Sequence, residues 1–92
     1  MKIKKKYKIG AHWFNVLLES GDRGFIDSGY KSSWKQIIVL QKEMAQSQKE
    51  VCLIHEVVHE IDFQNRLNLS EGVVSTLASG IYQFLVDNNL IV

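Results

Sequence analysis

Proline is missing from this chain, cysteine occurs once, and acidic and basic residues nearly cancel to a net charge of +1. Each shortage excludes something. Without proline there is no polyproline spacer, and no repeat or low-complexity tract marks a linker, so residues 1–92 read as a single domain. A lone Cys52 cannot build an internal disulfide framework, which allows a reducing compartment and points to the cytoplasm. No apolar run nears the roughly 20 residues that cross a bilayer, and Met1 to Gly10 lacks the apolar core of a signal peptide. No membrane partner is therefore expected. The small net charge also speaks against nucleic acid, whose binders carry a basic footprint. Lys2, Lys4, Lys6 and Lys8 alternate with Ile3, Tyr7 and Ile9, and suit the outer face of an edge strand guarded against aggregation.

What is present is an apolar content of 46%, enough for a modest core in a chain of this length. The first half has the period-two signature of strands. Ile3 to Ile9 is followed by a turn at Gly10-Ala11, and His12 to Glu19 carries apolar residues on both faces, which suits a central position. Gly21-Asp22-Arg23-Gly24 is a turn, Phe25 to Tyr30 a third strand, and Trp34 to Leu40 a fourth. The second half has helical periodicity. Ser47-Gln48-Lys49-Glu50 has the spacing of a capping box, so a helix is expected from about Gln48. Its apolar stripe is Ile54, Val57, Val58 and Ile61. Arg66 to Ser70 reads as a reversal, with Ser70 as N-cap of a second helix running to about Val86 on a stripe of Val74, Leu77, Ala78, Ile81 and Leu85. The expected fold class is α+β: a short antiparallel sheet of about four strands followed by two packed helices.

The most specific chemistry lies in the first helix. His55-Glu56-Val57-Val58-His59 is an H-E-x-x-H pentad, which puts two imidazoles on one helical face about one turn apart, both able to reach a single ion. Glu56 then sits beside that ion, where a carboxylate can take the proton from a metal-bound water. At 100° per residue, Cys52, His55, His59 and Asp62 share the flank next to the apolar stripe. Cys52 reads as a small buried hydrophobe, with a ligand role as the alternative. Glu60 points away from stripe and histidines and reads as an exposed charge.

A catalytic zinc site needs a third protein ligand. Two downstream acids compete. Asp62 is on the histidine face but too far along the axis for its short side chain, and suits a hydrogen bond to His59 or a pair with Arg66 at i+4. Glu71 opens the second helix, where an acid also simply favours the helix dipole. For Glu71 to reach the ion in a straight hairpin, the first helix would have to stop or bend soon after Ile61.

The run HEVVHEIDFQNRLNLSEGVVSTLASGIYQFLVDN from His55 to Asn88 resembles the C-terminal half of small zinc-metallopeptidase-like proteins of bacteria and their phages, relatives of the minigluzincins and more distantly of the ImmA/IrrE group. The pentad and the stretch from Glu71 to Leu77-Ala78 carry the resemblance. It implies a minimal zincin-like domain in which His55, His59 and Glu71 bind Zn2+ and Glu56 is the general base. The expected activity is hydrolysis of a peptide or protein substrate, extended along the strand Trp34 to Leu40, with Tyr30 or Tyr82 as candidates to steady the oxyanion. A phage-derived remnant of the fold, acting as a regulatory or protein-interaction module without catalysis, is the competing expectation.

Overall fold

Two apolar stretches set the architecture: Ile37 to Leu40, apolar on both faces of a strand, and the helical periodicity that begins near residue 50. The computed structural model describes residues 1–20 and 29–91. The elements are β1 (Lys6–Ile9), β2 (His12–Glu19), β3 (Gly29–Ser32), β4 (Ile37–Gln41), α1 (Gln46–Asn65) and α2 (Glu71–Asp87). The α+β plan of four strands followed by two packed helices is as the sequence reads. The turn expected at residues 21–24 and the start of the third strand lie outside the described residues.

The sheet is mixed rather than wholly antiparallel. Its order is β1-β2-β4-β3, with β1·β2 and β3·β4 antiparallel and β2·β4 parallel. The reason is burial. A strand whose residues are all apolar belongs inside a sheet, and β4, with Ile38, Val39 and Leu40 fully buried, takes the place between β2 and β3. That displaces β3 to an edge. Gly10 turns β1 into β2 at φ +63°, a conformation glycine adopts without penalty, and an added Cβ there would collide with the Gln64 amide.

Helix α1 serves two cores. Toward the sheet, Leu53 joins Ile9, Phe14, Ile38 and Leu40. Toward α2, Val58 joins Val74 and Ala78, with Ile54 and Leu69 packed against them. Among the described residues α2 packs on α1 and on no strand.

Several expectations about α1 are corrected by this double role. Glu60 is not an exposed charge: it is 2% exposed and faces the sheet, where it accepts from Ser33 Oγ at 2.7 Å, Lys31 Nζ at 3.2 Å and Gln64 Nε2 at 2.8 Å. The stripe centred on Ile54 and Ile61 pointed between the two packed faces, so it misassigned the position opposite to it. Nor is there a capping box. The helix starts at Gln46, its N-cap is Ala45 with no side-chain cap, and Glu50 is instead drawn into a buried site by Tyr82, Gln46 and the amino group of Met1. On α2, Val74 and Ala78 are buried, but Leu77 and Ile81 of the expected stripe stand about half open.

Candidate metal centre

The pentad spans the third and fourth turns of α1, where continuous i to i+4 bonding aligns His55 above His59. Their Nε2 atoms are 3.1 Å apart, and the rings meet edge to face with centroids 4.7 Å apart. Glu71 bridges them: Oε1 is 2.7 Å from His55 Nε2 and Oε2 is 2.9 Å from His59 Nε2.

Local chemistry puts Glu71 there. Arg66 and Asn68 both adopt left-handed backbone (φ 54° and 58°), folding the chain sharply back after α1. Asp62 Oδ1 accepts from the Leu69 amide at 3.2 Å, pinning the returning segment beside the last turns of α1. Ser70 then caps α2, accepting from Val73 N at 3.2 Å, as its sequence position predicts. So α1 continues unbroken to Asn65, and the bend expected after Ile61 is not needed. Asp62 is a loop anchor; the structure records no bond from it to His59 and no pair with Arg66.

One ligand atom from each of His55, His59 and Glu71 lies within 4.8 Å of the other two, so the group can hold a metal ion. The fit follows from the donors. A tetrahedral ion with bonds of about 2.0–2.1 Å keeps its ligand atoms about 3.3 Å apart, a few tenths of an ångström wider than the contacts here. Small torsions of partly exposed side chains supply that difference. With both Nε2 atoms unprotonated, two ring nitrogens and a carboxylate aimed at one point form a donor set that a dication can occupy.

The three donors line a cleft of about 580 Å³, together with Glu56 and Cys52 of α1 and Gly29, Tyr30 and Lys31 of β3. Glu56 is buried in that wall, beside His55 in sequence. Cys52 is half-buried, packs against the sheet-side core and contributes no atom to the three-donor group. Past His59 and Lys31 the cleft meets a second groove of about 960 Å³, lined by His12, Asp62, Phe63 and Arg66 among others. Lys31 spans the junction, held by Glu60 and lying 5.0 Å from the Phe63 ring centroid. Burial pushes the Glu60 carboxyl up, but the donors from Ser33, Gln64 and Lys31 outweigh it and hold the group below its ordinary value.

Two parts of the site were not legible beforehand. Lys31 enters the cleft because β3 forms the sheet edge, and no local spacing announces that. The strand Trp34 to Leu40 is not an open docking surface, since β4 is paired on both sides; the strand beside the cleft is β3. Tyr82 is drawn to Glu50 at the far end of α2, whereas Tyr30 lies on the cleft wall.

No family model matches the chain, and neither the curated proteins nor the solved structures compared with it give a match. Among the described residues no helix is long and apolar enough to cross a membrane.

Proposed function

We propose that this protein is a zinc-dependent peptidase of the small H-E-x-x-H kind, similar to the minigluzincins, in which His55, His59 and Glu71 hold the metal and Glu56 is the general base. The observation that carries the reading is the convergence of the three donors on one point in a cleft whose wall also contains Glu56.

The donor set favours zinc. Calcium and magnesium take oxygen-rich shells, whereas two imidazoles and one carboxylate form a known catalytic zinc set that leaves a coordination position open. When bound, such an ion lowers the pKa of a water to about 7 and polarises a carbonyl. The remaining work falls to the chain. Glu56, as a carboxylate, takes a proton from the attacking water and returns it to the departing amine nitrogen, so the proton balance closes within one residue. Among the described residues β3 is an edge strand along its Gly29–Ser32 length, and an extended peptide can add to such an edge through main-chain hydrogen bonds. A peptide or protein is therefore the substrate class, and the single cysteine suits a cytoplasmic setting.

A regulatory module without catalysis would use the same metal as a structural pin. That reading gives Glu56, in the cleft wall beside the three donors, no chemical role.

The test is Glu56→Gln. Zinc content should stay at the wild-type level while cleavage of an unbiased peptide library falls about 10²–10⁴-fold, the usual contribution of a positioned base. A zinc-loaded wild type that cleaves nothing in the library, or a Glu56→Gln variant as fast as wild type, rejects the proposal.

A further inference from the structure

Helix α2 is underused by its own fold. Of its 17 residues only Val74 and Ala78 are buried, both against α1. At 100° per residue, Val73, Leu77, Ile81 and Phe84 form one continuous flank, and they are 45%, 44%, 43% and 60% exposed. Ser75, Ser79 and Gln83 lie on the opposite flank, and Ser79 and Gln83 line a space shared with Val51 and Cys52 on the metal side of α1. The apolar flank therefore turns away from the cleft.

We infer that this flank is a self-association surface, on which two copies of the chain pair α2 against α2 about a twofold axis near Gly80. Three observations favour a second copy as the occupant. The first is area: the four side chains leave roughly 400 Å² of apolar surface open on one flank, the size of patch that is often functional and about half of the 800 Å² that each partner buries in a stable complex, which suits a pair that forms as concentration rises. The second is charge. From Gly72 to Val86 there is no charged residue, so the surface meets its own copy without like-charge repulsion, the condition a twofold contact imposes. The third is shape. Gly80 sits on the edge of the flank, and a Cβ built there meets no atom within 4 Å, so the α2 backbone is uncovered at that point and a second helix can approach it closely. Antiparallel pairing about Gly80 brings the same side chains of both copies together, and leaves both clefts outward.

The test is the mass of the full chain by light scattering, from low micromolar to several hundred micromolar. The expected result is a rise from 10.6 kDa toward twice that value, abolished by Leu77→Glu and by Ile81→Glu with circular dichroism and zinc content unchanged. If either variant fails to fold, Gly80→Cys in a Cys52→Ser background decides: mild oxidation should cross-link it between chains, whereas Ser75→Cys on the other flank should not link. A chain that stays monomeric throughout, a dimer indifferent to both glutamates, or equal cross-linking at both positions overturns the inference. So does a monomer whose flank instead binds neutral lipid vesicles, which would make the occupant a membrane surface.

Discussion

The Tyr82 hydroxyl donates to Glu50 Oε1 at 2.7 Å, tying the far end of α2 to the first turns of α1. Glu50 is buried, and it also accepts from Gln46 Nε2 and the Met1 amino group, each at 3.0 Å. Burial alone would raise this carboxyl; the donors, Tyr82 foremost, bring it below its ordinary value, and the same bond raises the Tyr82 phenol.

Removing that hydroxyl should therefore cost stability without touching the metal. Tyr82→Phe leaves a buried carboxylate short of one donor, a loss of about 1.5–3 kcal/mol for a bond to a charged group. Glu71 begins α2 about 16 Å away along the helix axis at 1.5 Å per residue. Chemical denaturation should show the loss, and a zinc titration should match wild type.

Acid should weaken the fold through the two buried glutamates. Glu50 and Glu60 both titrate below their ordinary 4.5 in the folded chain. A depressed carboxyl contributes stability that is complete above its unfolded value and is lost as pH falls through the folded one. Unfolding free energy should hold steady near neutrality and drop below about pH 4.5. Glu60→Gln should be less stable than wild type at pH 7, with the gap closing as pH falls; a gap constant with pH would contradict the assignment.

The cap of α2 links fold to site. Ser70 accepts from Val73 N, and the next residue is Glu71, one of the three converging donors. Ser70→Ala should cost about 1 kcal/mol of stability. It should also weaken zinc binding, because the first turn that aims Glu71 frays. A melt and a zinc titration on the same sample separate the two effects.

The site was more legible in sequence than the sheet was. His55, Glu56 and His59 are fixed by helical periodicity within one element, and Ser70 announces where the next helix begins. Those are local facts. Asp62 was misread because its partner, the Leu69 amide, comes within reach only once Arg66 and Asn68 have turned the chain back. Glu60 and Glu50 were misread for a related cause: each is buried by partners distant in sequence, Lys31 and Ser33 for one, Tyr82 and Met1 for the other. The parallel β2·β4 pair depends on which strand is buried deepest, a property of the assembled sheet.

Metal binding should also register as stability. A ligand at one hundred times its dissociation constant adds about 2.7 kcal/mol to a fold that binds it only when native. Zinc should raise the melting temperature of the wild type, a chelator should lower it again, and His59→Ala should respond to neither.

The most direct measurement is the zinc content of protein purified without added metal or chelator, for wild type and four variants. The account predicts one zinc per chain in wild type and in Glu56→Gln, none in His55→Ala or His59→Ala, and a weakened fraction in Glu71→Ala. A wild type that takes up no stoichiometric zinc even when it is supplied, or one whose zinc survives loss of either histidine, would contradict it.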